Sequence, residues 1–166
     1  MSRPAETAEF LASVRLFRGL AEPERLALAA RLGERSLRTG QVLFREGDAG
    51  DEMFLVRRGT IVVSKAVTGK VEQVLARHSA GDFFGEMSLM DQEPRSATIQ
   101  AETDVTLLVL DRQNLHALNA VNPRAAAAFF EALVHVFIQR LRLSSELVAE
   151  VTRWGLEATG LDVEPR

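Results

Sequence analysis

The chain contains no cysteine and no tyrosine, and among its 166 residues it has only three histidines and one tryptophan. The absence of cysteine excludes a disulfide scaffold, a thiolate metal site and a cysteine nucleophile. The histidines, His78, His116 and His135, lie far apart, and none has a partner at metal-ligand spacing. Because no nucleophile–base pair or metal-ligand set can be assembled from this inventory, we expect a protein that is not an enzyme and that has no metal or cofactor.

The chain also lacks a long apolar run and a strong excess of one charge. The most apolar stretch, residues 125–138, is interrupted by Glu131 and His135 and is too short to span a bilayer. The first twenty residues carry charges where a signal peptide would have its apolar core. A net charge of −3 leaves no overall basic surface for nucleic acid. We therefore expect a cytoplasmic protein with no membrane association and no direct DNA binding.

What the sequence does contain is the composition of one globular domain, with 46% hydrophobic and 26% charged residues. Residues 1–35 show helical periodicity, and Pro23 stands in the first turn of a helix. Residues 36–111 are short runs of β-branched and bulky apolar residues separated by turns rich in glycine and aspartate. The pattern predicts an α+β fold, mainly β, in which helices flank an antiparallel β-roll or jelly roll.

Residues 112–154 are predicted to be helical again. Asp111 can cap one helix, and Asn122 followed by Pro123 is a strong start signal for a second. No helix breaker follows until Gly155, so the second helix should be about 30 residues long, or about 45 Å. We expect a single domain over residues 1–154 and a polar tail over residues 155–166.

The long C-terminal helix has apolar residues at alternating spacings of four and three. They are Phe130, Val134, Phe137, Leu141, Val148 and Val151, and Ser144 occupies the remaining position of the pattern. Such a pattern is typical of a coiled-coil seam, but it also fits a single amphipathic helix that packs on the β-roll. The helix is therefore a candidate homodimer contact, and both interpretations remain open.

The 81–98 segment, between two predicted strands, combines groups suited to a sugar phosphate. Gly85 permits a close approach of the backbone, and a helical turn begun there would point the amides of Glu86–Ser88 toward an anion. Arg95 supplies a forked cation that matches phosphate geometry. The carboxylate of Glu86 would repel phosphate, but it suits a ligand that also donates a hydroxyl, as ribose does.

Two motifs in this segment resemble the phosphate-binding cassette of the cyclic nucleotide-binding domain family. They are Phe84–Leu89, which reads FGEMSL, and Pro94–Thr98, which reads PRSAT. The likeness extends to the strand region Gly40–Asp48 and to the helical region Leu16–Leu20, and it covers about Phe10 to Val151. The resemblance implies a β-roll sensor domain whose ligand is cyclic AMP or cyclic GMP.

The resemblance also implies a role for each residue of the motif. Glu86 would accept a hydrogen bond from the ribose 2′-hydroxyl, and Arg95 would pair with the cyclic phosphate. Gly85, Met87 and Ser88 would contact phosphate or ribose, largely through their backbone.

Further positions would complete the pocket around the base. Ser96 would touch the phosphate or the base, and one residue within 137–145 of the C-terminal helix would cap the base. Three apolar residues are expected to line the pocket: Val63, Leu75 and Phe83.

We predict a freestanding cyclic nucleotide sensor that signals through its C-terminal helix to an unknown protein partner or across a dimer. Only 12 residues follow Trp154, too few for the helix-turn-helix domain of the catabolite-activator-like relatives. Cyclic AMP is favoured over cyclic GMP, because bacterial activators that sense cyclic AMP have serine at a position similar to Ser96. The alternative is a β-roll interaction or scaffold protein whose pocket is vestigial or takes another ligand.

Overall fold

The computed structural model describes residues 3–68 and 71–159. The helices of these ranges are α1 (Arg3–Ser13), α2 (Glu22–Ala29), α3 (Glu86–Asp91), α4 (Arg112–Val121) and α5 (Pro123–Ala158), with a 3-10 turn at Arg15–Phe17. The strands are β1 (Gly33–Leu37), β2 (Val42–Phe44), β3 (Glu52–Arg58), β4 (Ile61–Thr68), β5 (Val71–His78), β6 (Phe83–Phe84), β7 (Thr98–Ala101) and β8 (Val105–Asp111).

The strands form two four-stranded antiparallel sheets. One has the order β1-β8-β3-β6 and the other the order β2-β7-β4-β5. Helices flank this roll on both sides in sequence, and the last of them is long. The predicted α+β fold, an antiparallel roll flanked by helices, is confirmed. The expectation that it is mainly β is wrong, because the helices contain more residues than the strands.

Strand β3 lies between two hydrophobic clusters, one with the helices and one between the sheets. Its central residues are apolar without alternation, and all four are buried. Met53 and Leu55 face a cluster that includes the helices, whereas Phe54 and Val56 face the space between the two sheets. A strand covered on both faces needs apolar residues at every position, and this is what the run from 53 to 56 provides.

The first strand begins earlier than the sequence pattern indicated. We predicted helical structure up to residue 35, but α2 ends at Ala29 and β1 begins at Gly33. Gly33 pairs with Val109 and Leu37 with Val105, so the pairing register of β1 with β8 fixes where the strand starts. A long-range pairing of this kind leaves no local mark in the sequence.

Helix α5 begins where the sequence predicts and ends later. The side chain of Asn122 accepts a hydrogen bond from the amide of Ala125 at 3.1 Å, and Pro123 is the first helical residue. The helix runs for 36 residues, so the predicted polar tail is wrong for residues 155–158, and residues 160–166 lie outside the described part. A single glycine costs a helix only about 1 kcal/mol, and Gly155 therefore does not end it.

The two halves of α5 have different surroundings. In the first half, Phe129 and Leu133 are buried, and the ring of Phe129 stacks on Phe17 with 5.9 Å between centroids. In the second half, residues 138–155 are all exposed. The first half thus fixes the direction of the helix, and it places the turn around Arg140 next to the 81–98 segment.

Candidate functional site

A cavity of about 280 Å³ lies beside α3 and is reached by residues of both sheets and of α5. Its lining comprises Phe44, Val63, His78, Phe84, Gly85, Glu86, Met87, Ser88, Arg95, Ser96, Ala97, Ile99 and Arg140. Two of its charged side chains, Glu86 and Arg95, are almost completely buried. Buried charges of opposite sign in one small cavity are costly unless they have partners, and they therefore mark this cavity as the candidate site.

The turn at Gly85 joins β6 to α3 and sets the shape of the cavity. Gly85 has φ +78°, in the left-handed region, so a side chain there would be strained. A Cβ atom at this position would also lie 2.9 Å from Nη1 of Arg95 and 2.9 Å from the carbonyl oxygen of Glu52. The glycine is needed both for the backbone conformation and for the close approach of Arg95. As at any helix start, the first-turn amides of α3 have no intrahelical acceptor.

Arg95 is held in the wall of the cavity with part of its guanidinium group unpaired. Only 4% of the residue is exposed, and Nη1 donates a hydrogen bond to the carbonyl oxygen of Glu52 at 2.8 Å. Its Cζ atom lies 4.2 Å from the ring centroid of Phe44. Among the described residues, the buried Nε atom has no hydrogen-bond partner. Burial lowers the pKa of Arg95, while the nearby carboxylates of Glu52 and Asp51 oppose that shift.

Glu86 joins the cavity to the C-terminal helix. The residue is 3% exposed, and its carboxylate accepts a hydrogen bond from Nη1 of Arg140 on α5, which is about half-exposed. The guanidinium carbon of Arg140 also lies 5.5 Å from the ring centroid of Phe83. A charge pair with one buried partner therefore connects α3 to α5 across 54 residues of sequence.

His78 lies on the side of the cavity formed by β5. Its ring stacks on Phe84, with 6.2 Å between centroids and 7° between planes. Its Nδ1 atom is 3.8 Å from a carboxylate oxygen of Asp82. Burial lowers the pKa of His78, and this effect exceeds the opposing influence of Asp82. The imidazole thus contributes an aromatic wall to the cavity and favours its neutral form.

The family of the chain follows from comparison with known proteins. Residues 34–122, over half of the chain, match the family model of the cyclic nucleotide-binding domain. This range contains both motifs of the 81–98 segment and every strand of the roll except the first residue of β1. The chain belongs to the cyclic nucleotide-binding domain family.

Relatives of this domain have several kinds of architecture. A cGMP-dependent protein kinase from Toxoplasma gondii is 37% identical over 111 residues, which are 67% of this chain and 11% of the kinase. A CRP-like cAMP-activated global transcriptional regulator from Mycobacterium tuberculosis is 27% identical over 143 residues, which are 86% of this chain and 62% of the regulator. The crystal structure of the N-terminal domain of a transcriptional regulator from Streptomyces coelicolor is similar to this chain with a TM-score of 0.72. The two sequences are 32% identical, and the match covers 84% of this chain and 94% of that one. The chain thus spans less than two thirds of both curated relatives.

The structure of this cyclic nucleotide-binding domain brings most of the predicted site residues together. Seven of them line the cavity: Val63, Gly85, Glu86, Met87, Ser88, Arg95 and Ser96. Met87 is nevertheless 51% exposed, and Ser88 is buried. The carbonyl oxygen of Ser88 accepts a hydrogen bond from Arg112 at 3.1 Å, which connects α3 to the start of α4.

Two predicted pocket residues lie elsewhere. Leu75 is 53% exposed and is the extra residue of a bulge in β5, because Val63 pairs with Ala76 and Ser64 pairs with Val74. The extra residue of a bulge has no partner on the neighbouring strand, and Leu75 does not line the cavity. Phe83 lines a separate groove of about 600 Å³ between the 3-10 turn and α5.

Six cavity residues were not named as pocket residues from the sequence: Phe44, His78, Phe84, Ala97, Ile99 and Arg140. Arg140 lies within the predicted range 137–145, and it is seven residues after the buried Leu133 and four after Val136, so helical phase places it on the inward face. His78 pairs with Ile61 on β4, but the irregular register between β4 and β5 hides this placement from strand parity.

Two kinds of feature are absent from residues 3–68 and 71–159. No helix there is both long and apolar enough to cross a membrane. No group of three or more histidine, aspartate or glutamate side chains there is arranged to hold a metal ion.

Proposed function

We propose that the chain is a cyclic nucleotide sensor that binds its ligand in the cavity beside α3 and transmits the binding event through α5. The observation that carries the proposal is that two buried side chains of opposite charge, Arg95 and Glu86, line one small cavity. The buried Nε of Arg95 has no acceptor among the described residues, and the carboxylate of Glu86 can accept a further hydrogen bond beside the one from Arg140. A ribose that carries a cyclic phosphate supplies both an acceptor and a donor.

The phosphate would bind at Arg95 and the first turn of α3. The guanidinium group is already oriented by Glu52 and Phe44, so binding requires little further ordering of its side chain. The amides after Gly85 and the hydroxyl of Ser88 would add donors. Arginine suits this task because its planar fork donates two parallel hydrogen bonds to phosphate.

The ribose would bind at Glu86 and would change the contact with α5. A ribose hydroxyl that donates to Glu86 shares the carboxylate with Arg140, or displaces it. Either change alters the free energy of the present position of α5. The ligand shifts the helix only by its difference in affinity for the two positions, and the Glu86–Arg140 pair is the place where that difference arises.

The output would pass through the second half of α5 to a protein partner or to a second copy of the chain. Large apolar side chains remain exposed there, among them Leu141, Leu147, Val148 and Val151, each 58% exposed or more. Exposed apolar residues grouped on one helix are typical of an interaction surface. That the chain is not an enzyme and does not bind DNA directly stays a prediction.

Cyclic AMP is the nucleotide that we favour. The proposal rests on the likeness of Ser96 to the serine of bacterial cyclic AMP sensors, and Ser96 lines the cavity in an exposed position. The names of the relatives support both nucleotides, since one is cGMP-dependent and another is cAMP-activated. The tighter of the two ligands in a direct binding measurement decides the question.

The experiment is isothermal titration calorimetry of the purified chain with cyclic AMP and cyclic GMP, beside Arg95→Ala. We expect saturable binding that weakens by about 10- to 100-fold or more in Arg95→Ala, since a charged hydrogen bond is worth about 1.5–3 kcal/mol. Arg77→Ala is the matched control, because Arg77 pairs with Glu102 outside the cavity. Equal binding by wild type and Arg95→Ala would show that the phosphate assignment is wrong.

The second candidate is an interaction or scaffold protein whose pocket takes another ligand or none. The exposed apolar half of α5 is the observation that favours it. This function predicts no heat from either nucleotide, in folded protein free of co-purified ligand, together with self-association that nucleotide does not change.

A further inference from the structure

Gly50 lies on the connection between β2 and β3, outside both motifs of the 81–98 segment. A Cβ atom built on it would lie 2.3 Å from Nε, 2.5 Å from Cζ and 2.5 Å from Nη2 of Arg95. These distances are far below any real contact of a Cβ atom, so a side chain at Gly50 and the present position of Arg95 exclude each other.

The backbone conformation of Gly50 does not itself require glycine. Gly50 is absent from the positive-φ glycines, which are Gly40, Gly47, Gly59, Gly81 and Gly85, so alanine could adopt its φ. Arg95 is accordingly the reason that a side chain does not fit.

The connection cannot move away from Arg95 without breaking backbone hydrogen bonds. The amide of Arg95 donates to the carbonyl oxygen of Asp48 at 2.8 Å, and the amide of Gly47 donates to the carbonyl oxygen of Arg95 at 2.8 Å. The turn before Gly50 is therefore fixed to the same residue whose side chain passes Gly50. With the backbone fixed, the flexible end of the Arg95 side chain is the part that would yield.

The atoms that would yield belong to the guanidinium group of Arg95, the residue that lines the cavity. Its Nη1 atom donates to the carbonyl oxygen of Glu52, and its buried Nε atom has no partner among the described residues. A guanidinium group can donate two parallel hydrogen bonds to a phosphate only if its position and orientation fit the anion. A methyl group at Gly50 would meet Nε and Nη2 and would displace the group.

We propose that Gly50 is a positioning residue for phosphate recognition: the absence of its side chain lets the guanidinium group of Arg95 lie in the cavity wall. This proposal deepens the proposed function and rests on it for the identity of the ligand. Gly50 itself contacts no ligand, and its effect passes entirely through Arg95.

The test is a double-mutant cycle with Gly50→Ala, Arg95→Ala and the double variant, each titrated with cyclic AMP and cyclic GMP. We expect Gly50→Ala to weaken binding by about 10- to 100-fold, as expected for loss of charge-assisted hydrogen bonds to phosphate. The double variant should bind no more weakly than Arg95→Ala alone. Gly19→Ala is the matched control, since a Cβ at Gly19 meets nothing within 4 Å.

A second readout, the urea midpoint of the same four proteins, needs no ligand. We expect Gly50→Ala to lower the midpoint when Arg95 is present and to leave it unchanged or raise it when Arg95 is alanine, because alanine then restricts only the unfolded chain. A Gly50→Ala protein that folds only in the Arg95→Ala background would support the proposal in the same way.

Two results would overturn the proposal: wild-type affinity in Gly50→Ala, or equal losses in both backgrounds. If the wild type binds neither nucleotide, the proposed function fails, and the midpoints still decide whether Gly50 positions Arg95.

Discussion

At the scale of single residues, close packing of its neighbours determines the position of the Arg95 side chain. Arg95 lies against Phe44 and between backbone positions, Gly50 and Gly85, at which a Cβ atom would collide with it. The absence of side chains at Gly50 and Gly85 therefore determines its position as much as its hydrogen bond to Glu52 does. A buried cation so closely surrounded is pre-organised for an anionic ligand.

His78 gives a pH-dependent prediction at the same scale. Burial lowers its pKa below 6.5 in the folded state. As the pH falls through 6.5, the unfolded chain therefore binds a proton before the folded chain does, and the stability that is complete above this pH is lost. We expect His78→Gln to lose less stability than wild type on acidification from pH 7.5 to 5.5, measured by urea unfolding.

The matched control for His78 is His116→Gln, a change at an exposed histidine of α4. It measures the effect of exchanging a histidine that does not line the cavity. Parallel curves of stability against pH for His78→Gln and wild type would show that the folded protein does not disfavour the protonated form of His78.

At the scale of elements, local chemistry sets the start of α5. The side chain of Asn122 caps the helix through the amide of Ala125. We expect Asn122→Ala to destabilise the protein by about 1 kcal/mol, the usual cost of losing such a cap, measured by urea unfolding. Asn119→Ala, within α4 and exposed, should be neutral or slightly stabilising, because alanine is the better helix former. Equal effects of the two changes would contradict the role of the cap.

The second half of α5 gives a prediction about assembly. If its exposed apolar seam binds a second copy, Val148→Glu should shift the chain toward monomer in sedimentation velocity, because the charge would have to be buried in the contact. Val121→Glu is the matched control, since Val121 is 71% exposed and precedes α5. If the wild-type chain is monomeric at all concentrations, the dimer interpretation is wrong, and the seam would have to bind a different protein.

At the scale of the whole molecule, the stacked rings of Phe17 and Phe129 join the N-terminal helical region to α5. Phe129 is fully buried, so Phe129→Ala should lower the free energy of unfolding by about 3–5 kcal/mol, through lost burial and the cavity left behind. Val134→Ala on the same helix, at a residue 53% exposed, should cost far less. Urea unfolding measures both, and similar losses would mean that α5 is not held through this contact.

The sequence by itself determined the parts of the protein whose cause is local. The caps at Asp111 and Asn122 act on the next turn of chain, and the motif around Gly85 depends on adjacent residues, so both could be predicted. The alternation of short apolar runs with turns was likewise sufficient for an antiparallel roll.

Only the tertiary structure decided which distant residues share the cavity. Glu86 and Arg140 are 54 residues apart, and their contact depends on the phase and direction of α5. The exposure of Leu75 depends on a bulge against β4, and the requirement for Gly50 depends on a side chain 45 positions later in the chain. Contacts of this kind follow from sheet register and helix packing, which many residues fix together and no single motif records.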